Sequence, residues 1–267
     1  MFQPFGHERQ PHGPLVVPVL GVLSGLLIWE LAVRLAHLPR WFLPAPSAIV
    51  QAFVRDRALL WRHTAVTLEE VLVGLALSLV LGLALALAIA ASPTLERTLY
   101  PAIVASQAIP VIALAPLLLI WLGYGLSPKV VVVVLTCFFP ITVNTADGLR
   151  NVDPELVDLV RSMGGRGWHV FRIVRLPGAL PSFFSGLRVA AAVSVIGALI
   201  GEWVGSSAGL GYLMIRSASQ FLTDRVFAAV VIAAVLSIGL FWLIGWVERI
   251  TLRWRQLPRS ERPAAAR

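Results

Sequence analysis

Apolar residues fall in long, nearly uninterrupted blocks along this chain, separated by short polar segments. A bilayer core about 30 Å thick takes ~20 mostly apolar residues to cross as a helix. Blocks of that kind predict six spans, at residues 14–35, 71–91, 98–128, 130–144, 186–204 and 226–247. Span 1 accepts Pro14 and Pro18 in its first turns. Its leading segment holds Arg9 as the only basic residue and no small-x-small site follows, which sets it apart from a cleaved leader. Span 3 carries Pro101, Pro110 and Pro116. Pro110 and Pro116 predict a broken helix whose freed backbone is satisfied by neighbouring protein. Span 5 is the weakest by hydropathy, with Arg188 and Glu202 near its two ends.

Small residues recur at every fourth position in two spans. Span 2 has Gly74, Ser78, Gly82, Ala86 and Ala90; span 5 has Gly197, Gly201 and Gly205, continuing to Gly209. Such ridges let helix backbones approach closely where lipid offers no hydrophobic drive for association. They predict packing within the bundle or, for span 5, a subunit interface or translocation path.

The polar segments have patterns of their own. Ser47, after Pro46, has the position of an N-cap, and Ile49, Phe53 and Leu60 give the first loop an apolar stripe, which predicts a helix lying at the outer interface. The loop of residues 147–180 is more informative. Asp153-Pro154-Glu155 reads as N-cap, proline at the first helical position and an acid on the positive end of the dipole. Leu156, Leu159, Val160 and Met163 follow at i, i+3, i+4 and i+7. Arg161 stands in the last turn, and Gly164 supplies the left-handed residue of a C-cap. A second short helix is expected from Trp168 to about Val174, ending before Leu176-Pro177. A helix of about ten residues is not stable alone in water, so its apolar face must be covered, either by its own spans or by a groove on a partner.

Composition agrees with the spans. Hydrophobic residues make up 58% and charged residues 13%, against soluble norms of ~45–50% and ~25%, and mean hydropathy is +0.82. The chain is an integral membrane protein, which excludes a secreted domain, a disordered regulator and a soluble enzyme. The net charge of +8 comes from 22 basic residues, of which Lys129 is the single lysine. They flank the apolar blocks instead of forming one face, so nucleic acid is not implied. Six spans put both termini on one side, and fourteen of the 22 basic residues fall on that side, which places both termini in the cytoplasm. Arg55, Arg57 and Arg62, together in the first outer loop, run against this bias.

The spacing from Asp158 onward resembles a known signature. Asp158-Leu159-Val160, three residues, Gly164, nine residues, Val174, one residue and Leu176-Pro177 is similar to the coupling-loop signature of ABC importer permeases, with Leu159-Val160 where that signature has Ala-Ala. The resemblance extends to Leu43 through Ser47, Pro110 through Leu117, Phe138-Phe139-Pro140 and Gly205 through Leu213, and it covers about residues 29–254. The chain resembles the permeases of nitrate, sulfonate, taurine and thiamine-pyrimidine-precursor importers. The resemblance implies an all-α type I importer permease fold with six spans and a cytoplasmic coupling helix between spans 4 and 5. Residues 1–67 would form the first span and outer loop, 68–254 the core permease and 255–267 a cytoplasmic tail. It further implies a bacterial inner-membrane location and a second permease copy that completes the pathway. Two ATPase subunits would hold ATP and magnesium, and a periplasmic or lipid-anchored binding protein would deliver a small solute. The coupling residues would be Leu156, Asp158, Leu159, Val160, Met163, Gly164, Val174, Leu176 and Pro177.

Other polar positions are candidates for the translocation path. Glu202 near the outer end of span 5 is a functional candidate by default, or else a carboxylate at the headgroups or paired with an arginine. Gly209-Leu210-Gly211 forms either a gate-like turn or a plain loop. Asn144 ends span 4, and Ser106 and Gln107 sit near the proline-interrupted middle of span 3. Trp242, Trp246 and Trp254 are expected as interfacial anchors. Cys137 is the single cysteine, so no disulfide framework or Cys-rich zinc site exists, and His7, His12, His37, His63 and His169 have no metal-ligand spacing. No Gly-Lys-Ser/Thr phosphate loop is present, nor the residue sets of common hydrolases. The chain itself is therefore expected to be non-catalytic and to bind no cofactor. A self-contained channel or secondary transporter is the competing reading; it predicts ionisable residues inside the spans, whose cores read as uncharged. An intramembrane enzyme ranks behind both.

Overall fold

The computed structural model describes residues 16–253, so Arg9, Pro14, Trp254 and the tail at 255–267 lie outside the described residues. Every regular element within them is helical: α1 (Val16–Leu35), α2 (Pro46–Arg55), α3 (Arg57–Ala91), α4 (Pro93–Ser106), α5 (Val111–Leu122), α6 (Leu126–Arg150), α7 (Pro154–Ser162), α8 (Gly167–Val170), a π-helical turn (Phe171–Arg175), α9 (Leu176–Trp203), α10 (Leu210–Ser219) and α11 (Thr223–Thr251). Among the described residues, four helical runs are long and apolar enough to cross a membrane: α3, α6, the continuous run Gly167–Trp203, and α11. The α4–α5 pair, bent by 97°, makes a fifth if it counts as one broken span. Their outward faces carry exposed Val80, Val235, Ile238, Trp242 and Trp246, as expected where the solvent is lipid.

α6 is the centre of the bundle, held between α3 and α9. The small-residue ridges explain how three long helices approach so closely. A Cβ on Gly74 would lie 2.5 Å from the Val133 side chain, and one on Gly82 2.8 Å from Ile141. On the other flank, a Cβ on Gly197 would lie 3.1 Å from Val133 Cα and one on Gly201 3.0 Å from Lys129 Cα. Gly197 and Gly201 of the span 5 ridge are thus filled by α6 of the same chain, the packing within the bundle that was the first of the two readings, and Gly205 faces Leu119 and Tyr124. Arg188, the charge that weakened span 5, is ion-paired with Glu248 of α11 and lies 5.6 Å over the Phe241 ring.

Several boundaries differ from the sequence reading. Span 3 breaks at residues 107–110, with Pro110 as N-cap of α5, whereas Pro101 and Pro116 sit inside continuous helices. The piece expected to end before Leu176-Pro177 instead runs through the π turn straight into α9. Pro177 follows that π-helical turn, and the helical run continues past it instead of stopping. α3 begins at Arg57 and absorbs residues that had been assigned to the outer loop.

The outer helix α2 also differs. Its N-cap is Ala45, not Ser47. Ser47 donates its backbone N–H (3.0 Å) and its hydroxyl (2.8 Å) to the Glu30 carboxylate of α1, so an acid from the first span serves the start of α2. The stripe Ile49, Phe53 and Leu60 packs into the main hydrophobic core. The stripe expected to face the outer interface therefore covers protein instead, while Val50 and Val54 are the exposed apolar residues of α2.

Candidate functional site

The loop after α6 is built on its own valines. Asp153 caps α7, its carboxylate accepting from the Glu155 N–H at 2.9 Å. At the other end Gly164 has φ +82°. The Gly165 N–H reaches Val160 O (2.9 Å) and the Gly164 N–H reaches Arg161 O (2.9 Å), the paired bonds of a Schellman cap. Val157 and the half-buried Val160 face inward against Val152, Val170 and Val174. This leaves Leu156, Leu159 and Met163 exposed, at 49%, 56% and 80%. Asp158 is exposed and lies 3.6 Å from Arg161. A groove of ≈ 600 Å³ runs along this face, lined by Leu156, Leu159, Val160, Ile173, Val174 and Pro177.

The predicted coupling residues thus divide by packing. Val160 and Val174 hold the helix in place, Gly164 ends it, and Leu156, Leu159 and Met163 form a free apolar face. The sequence reading missed Val157, which is 8% exposed. Its signal was the valine pair Val170 and Val174 one turn apart in the following helix, which needs an apolar partner.

At the opposite end of the bundle lies a buried polar cluster. Glu202 of α9 is 1% exposed. Its Oε1 accepts from the Thr67 hydroxyl (2.5 Å) and its Oε2 from the Gly211 N–H (2.5 Å). Thr67 Oγ1 accepts from the Leu210 N–H (2.8 Å), and His63 Nδ1 from the Gly209 N–H (2.9 Å). Gly209 has φ +115°, and any Cβ there would fall into the Glu202 carboxyl group. Three side chains from α3 and α9 therefore satisfy the N-terminus of α10, whose N-cap glycine has no side chain to do so. Beside them Lys129 Nζ meets Glu70 Oε1 at 2.6 Å, with Glu70 1% exposed.

Of the expected path residues, the fold brings Glu202, Gly209 and Gly211 together and leaves Gln107 and Asn144 apart from them. Glu202 has no arginine partner among the described residues; it is bonded by a threonine and a helix start. Asn144 Nδ2 donates to Pro140 O at 2.8 Å within α6, next to Gly186 of α9. Ser106 bonds Ile103 O at 2.6 Å, and Gln107 is exposed at the α4–α5 bend. The Glu70–Lys129 pair and His63 had not been singled out. Glu70 and Lys129 sit one residue outside the apolar blocks, and the helices extend past those blocks to enclose them. The available signal was that Lys129 is the single lysine in the chain.

Residues 78–252 match the family described as the binding-protein-dependent transport system inner membrane component. The chain belongs to this family. It is a multi-pass inner-membrane protein, and its function is that of the permease subunit of an ABC importer. A probable ABC transporter permease protein of Haemophilus influenzae is 44% identical over 233 residues, 87% of this chain and 95% of that protein. The formylaminopyrimidine transport permease protein ThiX of Halalkalibacterium halodurans is 43% identical over 240 residues, 90% of this chain and 96% of that one. Among solved structures, the inward-facing MetNI methionine ABC transporter superposes with a TM-score of 0.65 over 73% of this permease and 97% of that chain. At 21% identity that likeness speaks for the fold alone. The relatives do not favour a self-contained channel or secondary transporter, and the ionisable residues that such a protein would need are committed here to one another and to α10.

Proposed function

We propose that the permease crosses the membrane six times, with α1 as the first span, α4–α5 as one broken span and both termini in the cytoplasm. Two copies form the pathway, and each docks α7 into a groove on one of two ATPase subunits. ATP and magnesium are held by those subunits; the permease hydrolyses nothing and carries no cofactor. A periplasmic or lipid-anchored binding protein delivers the solute, a small organic or oxyanionic molecule of the sulfonate, taurine, nitrate or pyrimidine-precursor class. Gln107, exposed at the α4–α5 bend, contributes to the path.

The observation that carries this reading is the two-sided packing of α7. Its valines are spent on its own chain, while Leu156, Leu159 and Met163 remain bare beside an apolar groove. An amphipathic helix held rigidly in that way is suited to insertion into a partner. Reconstitution tests it. Liposomes with the permease alone should show neither ATP hydrolysis nor uptake, and both should appear when the ATPase and binding protein are added. Solute-driven uptake by the permease alone would overturn the proposal.

A further inference from the structure

The end of the bundle opposite α7 holds a cleft of ≈ 370 Å³ between the start of α3, α10 and the start of α11, within the ~300–1,000 Å³ range of small-molecule pockets. Its charge is one-sided. Arg225, on its rim, is neutralised: its Nε and Nη2 meet Asp56 at 3.0 and 3.1 Å, while Arg55 bridges Asp56 (2.8 Å) and Asp224 (3.1 Å). Two arginines and two aspartates close that network. Arg62 and Arg216 are left over. Both line the cleft, and neither has an acidic partner among the described residues. No carboxylate lines the cleft.

The walls are set up to hold something polar. Arg216 Nη1 donates to the Tyr212 hydroxyl at 2.6 Å, and its guanidinium lies 5.9 Å over the Tyr212 ring. That ring in turn stacks on His63 at 5.9 Å, which is fixed by its bond from the Gly209 N–H. One guanidinium is therefore oriented while most of its five donors stay unused. Ser217, on the next position of α10, is 1% exposed, and its hydroxyl is buried with no hydrogen-bond partner. A buried hydroxyl left unpaired costs free energy, and Ser217 and Gln220 are both among the residues that line the same cleft.

We propose that this cleft binds a small organic oxyanion, a sulfonate, carboxylate or phosphate group, held by Arg62 and Arg216 with Ser217 and Gln220 as neutral hydrogen-bonding partners. Planar guanidinium forks suit oxyanions, and the free volume admits a small molecule around the charged group. The site also accounts for part of the outer positive charge that runs against the distribution of arginines along the chain: Arg55 is spent on aspartates, and Arg62 serves the cleft. The cleft binds its anion whether or not that anion is the transported solute, so a negative result leaves the permease assignment standing.

The test is calorimetric titration of the full-length permease, in nanodiscs of zwitterionic lipid at low ionic strength, with ethanesulfonate and with ethylammonium as the cationic counterpart. Saturable binding of ethanesulfonate alone is expected. Arg62→Gln and Arg216→Gln, both at exposed positions, should each weaken it about tenfold or more, and Ser217→Ala should weaken it less. Arg172→Gln, an exposed arginine at the far end, should change nothing. Absence of saturable binding, or equal weakening by Arg172→Gln, overturns the proposal. Loss of ethanesulfonate binding in discs containing phosphatidylglycerol would make the occupant a lipid headgroup and overturn the small-solute site.

Discussion

If α7 has one face for its own chain and one for a partner, alanine substitutions on the two faces must fail in different assays. Leu159 and Met163 are 56% and 80% exposed, so that fraction of each side chain remains to be buried in a complex. Full burial of such a side chain is worth about 1.5–3 kcal/mol. Scaled by exposure, docking would draw roughly 1–1.5 kcal/mol from Leu159 and roughly 1–2.5 from Met163. The double variant Leu159→Ala/Met163→Ala should therefore bind the ATPase roughly 30- to 700-fold more weakly. Its hydrogen exchange across residues 153–163 should match the wild type, because both side chains are mostly exposed and neither is part of the buried valine cluster. Val157→Ala should do the reverse. It removes two buried carbons from the contact with Val170 and Val174, about 2 kcal/mol with the cavity included, and should accelerate exchange throughout α7. Partner affinity by surface-immobilised binding and exchange by mass spectrometry are the two readouts. If the double variant keeps wild-type affinity, or loosens α7 as much as Val157→Ala does, the bare face is not a docking face and the reasoning is wrong.

Two further outcomes are expected. Glu202→Leu orphans the buried Gly211 N–H, at about 1–3 kcal/mol, while the Thr67 hydroxyl keeps His63 O within 3.2 Å; the thermal midpoint in detergent should fall, and Glu202→Gln, which keeps an acceptor, should recover much of it. A Glu202→Leu protein as stable as wild type would show that the cluster does not hold α10. Burial beside the start of α3 pushes the Asp56 carboxyl up, but the hydrogen bonds from Arg55 and Arg225 outweigh this and hold it below the ordinary carboxylate value of 3.8. Its contribution to stability is then full above 3.8 and is lost as pH falls through the lower folded value. Acid unfolding curves of wild type and Asp56→Asn should converge at low pH and separate above it, and a constant offset at every pH would refute the linkage.

Four of the predicted spans, now α3, α6, α9 and α11, and the helix α7 were legible in the sequence because each rests on local information. Apolar blocks of bilayer length, Asp153-Pro154-Glu155 at a helix start and Gly164 at its end are written in consecutive residues, and backbone hydrogen bonding within a helix needs nothing distant. The small-residue ridges were legible as ridges, but which helix fills them was not. That α6 meets Gly74 and Gly82 on one flank and Gly197 and Gly201 on the other depends on the mutual fit of α3, α6 and α9. Pro116 and Leu176-Pro177 read as breaks, and the fold overrode both: α5 continues through Pro116, and the π-helical turn before Leu176 carries the run on past Pro177.

What only the tertiary structure decided are the pairings over long sequence distances. Glu202 serves the start of α10 because α3 brings Thr67 beside it, 135 residues away in sequence. Glu30 serves α2 in place of Ser47, and Glu70 meets Lys129 across two helices. The division of α7 into an inner and an outer face follows from Val170 and Val174 folding back on it. A hydrophobic pattern states how strongly a residue avoids water, but not whether lipid, its own chain or a partner replaces that water. Only the arrangement of the helices supplies that choice.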